Sequence, residues 1–314
     1  MKTIFDRNGN GTAELVEALG MIDSSTDFSK WKPYIPLSVR RLTAIIGTEV
    51  YDKTLEFYYS TEPEPSTEEK YKNLLLMMQQ SVALFTWLKV IPTLDAQHGN
   101  TGRQKRIGEH ERGLTAIQEY KDETNILNLA YESVDALIAY LDKENFDFWL
   151  NSEKKRTINQ LLIRSKEKFD TYYMIGSHRL FLTLTPIIRE MQDRYIIPII
   201  TRKRYEQLLS ENVGEDFNDA VCRPLALLTM QKAVERLPVE VLPDGVVQVQ
   251  QVGTIKEKIK AEAEARKAVS KSLGDDAAKD LVALQDLIAT IEAEPDEPDL
   301  YIPKATIQSK GITF

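Results

Sequence analysis

Apolar residues recur along this chain mostly at the three-to-four-residue spacing of one helix face, and seldom in the alternation of a strand. Over residues 66–91, Tyr71, Leu74, Leu75, Met78, Val82 and Phe85 share a face, Ser66 and Glu69 have capping-box spacing, and Pro92 predicts the end of the helix. Leu184, Ile187, Ile188, Met191 and Tyr195 predict a second helix. It begins between Ser177 and Thr185, where Thr185 and Pro186 offer an N-cap and first-turn pair. Residues 103–142 are also helical by pattern, through Ile126, Ala130, Val134, Leu137, Ile138 and Leu141, with Gly113 as a break.

Strand signal is confined to residues 239–252, where Val239, Val241, Val247 and Val249 flank Pro243, Asp244 and Gly245, a turn sequence suited to a small hairpin. Residues 255–272 are rich in Ala, Lys and Glu, which predicts a helix with a thin apolar stripe that protrudes or packs on a partner. Gly274, followed by Asp275 and Asp276, reads as a helix stop and a new start, after which Leu281, Leu284, Leu287, Ile288 and Ile291 resume the pattern. The expected fold class is therefore mainly α, with at most a small β-hairpin.

Three short words repeat in order in the two halves at nearly constant separation: Leu42-Thr43-Ala44-Ile45-Ile46 with Leu184-Thr185-Pro186-Ile187-Ile188, Ala83-Leu84-Phe85-Thr86 with Ala226-Leu227-Leu228-Thr229, and Leu137-Ile138-Ala139 with Leu287-Ile288-Ala289. Preserved order and spacing predict a tandem duplication of a helical-bundle unit. The expected organisation is an N-terminal arm (1–33), helical unit 1 (34–150), a helical connector (151–176), helical unit 2 (177–293) and an extended C-terminal tail (294–314). In the tail an acidic, proline-bearing stretch precedes Tyr301, Ile302, Ile307, Ile312 and Phe314, which suits addition to a neighbour's surface.

Composition narrows the function classes. With 42% hydrophobic and 28% charged residues the chain has ample material for a core. A net charge of -8 argues against sequence-specific nucleic-acid binding, which needs a basic face. Lys154, Lys155 and Arg156, and Arg202, Lys203 and Arg204, read as solvated helix ends. The longest apolar runs, 196–200 and 74–78, fall far short of the ~20 residues that cross a bilayer, so no membrane partner is expected. Asp6 and Arg7 interrupt any apolar core of a signal peptide, which predicts folding in a cytoplasm. The single cysteine, Cys222, excludes an internal disulfide and reads as a small buried residue.

Catalytic chemistry finds no foothold. Asp6, Asn8, Asn10, Gly11 and Glu17 match the spacing of a calcium loop, but only five residues precede Asp6, too few for the incoming helix, and two of the early ligands are neutral amides. A glycine-rich turn leading into a helix capped by Thr12, with Leu15, Val16 and Leu19 on its apolar face, accounts for the same residues, and no metal site is expected. His98, His110 and His178 lack metal-ligand spacing, Asp95 and His98 fall in a loop, and Glu109, His110 and Glu111 point to different sides of a helix. No phosphate loop and no nucleophile elbow occur. No catalytic, cofactor-binding or metal residue is assigned, and no enzyme activity is expected.

Asn10, Gly11, Thr12, Glu14 and Leu15, then Phe28 and Ser29, Ile45, Ile46, Gly47, Glu49, Val50 and Tyr51, and later Ser177, Arg179, Phe181, Leu184, Pro186, Ile187, Asp193, Tyr195, Ile196 and Pro198, carry a resemblance. Together they resemble a family of structural proteins from phages and prophages of gut Bacteroidota, including crAss-like phages. The resemblance implies a virion structural role: a head–tail connector, forming a homo-oligomeric ring attached to the portal and to other neck or tail proteins, made in the host cytoplasm and resident in the virion. The acidic balance suits a conduit along which DNA slides without sticking. The competing expectation is a cytoplasmic helical adaptor or regulatory interaction protein, which would stay small where a connector assembles.

Overall fold

The computed structural model describes residues 2–60, 65–99, 102–105, 113–210, 214–238 and 255–293. A 3-10 turn, Arg7–Gly9, leads into α1 (Gly11–Leu19), α2 (Phe28–Trp31), α3 (Ile35–Ile46), α4 (Thr48–Tyr59) and α5 (Pro65–Asp95). Two antiparallel strands, β1 (Ala96–Gly99) and β2 (Gly102–Lys105), connect α5 to α6 (Ala116–Glu144). Three short helices follow, α7 (Asp147–Leu150), α8 (Glu153–Ile158) and α9 (Lys166–Asp170). Then come α10 (His178–Met191), a π turn at Gln192–Ile196, α11 (Ile197–Ser210), α12 (Glu215–Arg236) and α13 (Ile255–Ala293). The protein is mainly α, two tandem helical-bundle units with one small hairpin among the described residues.

Each unit has its own core. In the first, α1, α3, α5 and α6 enclose Leu15, Leu42, Val82, Phe85, Val134 and Leu137. In the second, α10, α12 and α13 enclose Leu184, Ile188, Leu225, Ala226, Ala277 and Leu284. Leu182 of α10 packs against both. The N-terminal arm lies on unit 1: Ile4, Phe5 and Trp31 are buried, and Gly11 is required because a Cβ there would stand 2.7 Å from the Phe28 ring. The segment expected as a connector, 151–176, contributes Ile158, Leu161, Ile163, Phe169 and Ile175 to the second core.

Local physics moves several expected boundaries. Helix α5 runs through Pro92 to Asp95, because a proline near a helix end forfeits one hydrogen bond without ending the turn. Residues 103–105 are strand rather than helix, and α6 starts later, behind Thr115 and Gln118, whose side chains and backbones form a capping box. Ser177, not Thr185, caps α10, and Pro186 lies inside that helix. The carbonyl of Leu182 that Pro186 leaves without an N–H instead accepts the Thr185 hydroxyl at 2.8 Å. Gly274 stops nothing: α13 is continuous through it, and a Cβ there would meet Nε2 of Gln231 on α12 at 2.5 Å. The glycine leaves room for the end of the Gln231 side chain. The expected hairpin at 239–252, the run Glu109, His110 and Glu111 expected to point to different sides of a helix, and the C-terminal tail lie outside the described residues.

Helix α5 by length and composition could cross a bilayer, with a mean hydropathy of 1.5 over its most apolar stretch. Unbroken apolar runs do not reveal this, since Gln79, Gln80 and Ser81 interrupt them. In the fold this helix is the centre of unit 1, with Leu74, Met78, Val82, Ala83 and Phe85 buried beneath α1, α3 and α6.

Candidate functional site

The residues singled out by motif do not converge. Asp6 turns to Lys32 at 3.1 Å and lines one hollow, while Glu17 is exposed and lines another, of about 550 Å³, with Asn10 and Thr12. Helix α1 begins at Gly11 without a side-chain cap, and the Thr12 hydroxyl donates to Thr26 O at 3.1 Å instead of capping. The carboxylate that organises this corner is Glu14, which the calcium spacing does not include. It accepts from Asp6 N and from the Tyr58 hydroxyl, both at 2.6 Å, and Tyr58 in turn accepts from Arg7 N at 2.6 Å. Burial, reinforced by Glu14, pushes the Tyr58 phenol well above its usual range. The corner is a clasp between the arm and α4.

The other candidates are equally structural. Burial pushes the Cys222 thiol up to about 12, as suits an inert core residue. His178 lies 3.6 Å from Glu167, and His98 is on β1. Part of each basic run is tied within the chain: Lys155 to Asp142 at 2.5 Å, Arg202 to Glu206 at 3.2 Å and Arg204 to Glu292 at 2.8 Å. Among the described residues no group of three metal-ligating side chains gathers.

Two features remain that have the form of contact sites. The first is the far end of the α5–α6 pair. These helices run antiparallel, with Lys70 reaching the Glu144 carbonyl at one end and the Ser133 hydroxyl bonded to Ser81 midway at 3.0 Å. Beyond Val90 and Ile126 neither helix buries a residue, so about two and a half turns of α6, some 13 Å at 1.5 Å per residue, stand clear of the core. This end carries Leu94, Leu114, Ile117 and Tyr120, the last two 69% and 71% exposed. Next to it lies the two-stranded ribbon, whose outer edges have no partner strand among the described residues.

The second feature is the junction of the units, where α3, α6 and α10 meet. Asp135 of α6 accepts from Ser177 Oγ at 3.0 Å and from Arg179 N at 2.6 Å, so a carboxylate of unit 1 completes the N-terminal cap of α10 in unit 2. Beside it the Tyr131 ring meets two guanidinium groups, those of Arg41 and Arg179. Apolar periodicity could not reveal either feature, because one is a departure from burial and the other joins residues far apart in sequence.

The profile of a family of unknown function, DUF6712, matches residues 42–159, less than half of the chain. The matched stretch runs from within α3 to just past α8 and so contains α4, α5, the ribbon and α6. No curated protein and no solved structure matches the chain.

Proposed function

We propose that this protein is a structural component of a virion, a head–tail connector that assembles as a homo-oligomeric ring on the portal. The observation that carries the reading is the unburied end of the α5–α6 pair. Leu94, Leu114, Ile117 and Tyr120 present apolar surface at the end of an antiparallel helix pair, next to a ribbon whose edges are open among the described residues. Apolar surface gains about 25 cal/mol per Å² when a partner covers it, and an open strand edge gains backbone hydrogen bonds from another strand. The resemblance of segments in both units to phage structural proteins, and the net charge of -8, agree with a DNA conduit that does not hold its cargo.

The test is the particle formed by the purified full chain, alone and mixed with the cognate portal, measured by light scattering and negative-stain imaging. Rings are expected in at least one of the two. A variant carrying Ile117→Asp and Tyr120→Asp should keep its helical circular dichroism and thermal transition and lose the ring. A chain that stays monomeric in both preparations would overturn the connector reading in favour of a helical adaptor.

A further inference from the structure

We infer that the junction between the two units is a binding site for an oxyanion, a phosphate or a carboxylate, held by Arg41 and Arg179. Arg41 projects from α3, lies 4.4 Å from the Phe85 ring centroid, and donates Nη2 to the Tyr131 hydroxyl at 2.6 Å. Arg179, in the first turn of α10, stacks on the face of the same Tyr131 ring, 3.9 Å from its centroid. The hydrogen bond to the hydroxyl places Arg41 at that end of the ring, and Arg179 lies over its face. Both guanidinium carbons lie within 5.3 Å of one ring centroid, so two positive groups are gathered at one small part of the joint.

The charge balance of the junction points to such a ligand. Among the described residues neither arginine forms an ion pair with a carboxylate, whereas the half-buried Lys155, Lys166 and Arg204 do, and the half-buried Arg7 and Arg164 donate to backbone carbonyls. Both side chains are partly withdrawn from water, and Nε of Arg179 is covered, with no hydrogen-bond partner among the described residues, so a ligand would meet the terminal nitrogens. A guanidinium has five N–H donors, and leaving a desolvated one unmatched is costly. The adjoining acid, Asp135, does not fill the gap. Its oxygens are committed to Ser177 Oγ and Arg179 N at the front of α10. Phosphate and carboxylate are the groups that a pair of guanidinium forks fits. A ligand held there would bridge α3 of the first unit to α10 of the second. This inference is independent of the connector proposal.

The experiment compares the full-length protein in sodium chloride, sodium phosphate and sodium glutarate at equal ionic strength, by thermal unfolding and by titration calorimetry. Phosphate or glutarate should raise the transition temperature where chloride does not, and the stronger of the two identifies the source as a phosphate or a side-chain-like carboxylate. Arg179→Gln and Arg41→Gln should each weaken that binding at least tenfold. Arg41→Lys, which keeps the charge but loses the fork, should fall between. Should either Gln variant fail to fold, the same titration on Arg41→Lys decides. The inference is overturned if chloride stabilises equally, or if the preference for phosphate or glutarate survives in the variants.

Discussion

The two units place the same kind of helix under different covers. In α5, Met78, Val82, Ala83, Phe85 and Val90 are buried. In α12 the positions in matching register, Val221, Leu225, Ala226, Leu228 and Ala233, are buried too. Both helices also carry a buried threonine that donates back to the carbonyl four residues earlier, Thr86 to Val82 and Thr229 to Leu225, each at 2.7 Å. The chain then turns the same way before each. Ile46 is buried, Gly47 takes φ 94°, ψ 157°, and Tyr51 is buried in the next helix. Ile200 is buried, Thr201 takes φ 70°, ψ 157°, and Tyr205 is buried after it. What differs is the cover. Helix α5 is wrapped by α1, α2, α3, α4 and α6, whereas α12 leans mainly on α10 and on α13, whose far side is open. The lesson is that the seam between paired helices sets the register, and the arm decides how complete the shell becomes.

The largest effects should come from emptying the equivalent core positions. Phe85→Ala should cost about 3 to 5 kcal/mol and Leu228→Ala about 2 to 3 kcal/mol, since a larger side chain leaves the larger cavity. All three tryptophans, Trp31, Trp87 and Trp149, belong to unit 1, so their fluorescence in urea reports that unit alone while circular dichroism reports both. Fluorescence should shift strongly for Phe85→Ala and little for Leu228→Ala. Equal shifts would mean that the units unfold as one, and the comparison would lose its independence.

Next in size is the joint. Asp135→Ala removes the carboxylate that caps α10 from the other unit and should cost about 1 to 2 kcal/mol. It should also separate the fluorescence and dichroism midpoints further than in the parent. Coincident midpoints would show that Leu182 and the arginines suffice to couple the units.

A smaller, pH-dependent effect belongs to unit 2. Burial works against the charge on Asp170, but N–H groups of Ile175 and Gly176 and the Lys166 ammonium outweigh it and hold its carboxyl below the usual carboxylate range. A depressed folded value means that the contribution is complete above the unfolded value near ~3.9 and is lost as pH falls through the folded one. Asp170→Asn should therefore destabilise by about 0.5 to 1 kcal/mol at neutral pH, and by less in acid below that range. A penalty that does not shrink in acid would assign the effect to shape rather than charge.

Smallest of all, Thr86→Val and Thr229→Val should each change stability by less than about 1 kcal/mol, because the accepting carbonyl keeps its helical N–H partner. The two values should agree closely. A large difference between them would break the parallel between α5 and α12.

The helical words of the sequence anticipated much of this. Ala83 and Ala226 fall at matching, fully buried places, as their shared word suggested. The third word slips: Leu137 is buried where Leu287 is only partly so, and the buried series of α6, Ile126, Ala130, Leu137 and Leu141, matches Leu273, Ala277, Leu284 and Ile288 of α13. Short apolar words fix a helix face only to within a turn, and contact with the partner helix selects among the choices.

By itself the sequence determined the helical class, the central helices and the two-unit order, because a 3.6-residue apolar period is a local property that one helix face needs whatever covers it. Only the tertiary structure decided that Gly274 lies within a continuous helix and is not a stop, that Glu14 and Tyr58 clasp the arm, and that Arg41, Tyr131 and Arg179 meet at the joint. Those facts depend on residues far apart in the chain. Their distances are set by how helix faces pack in space, which no spacing along the chain records.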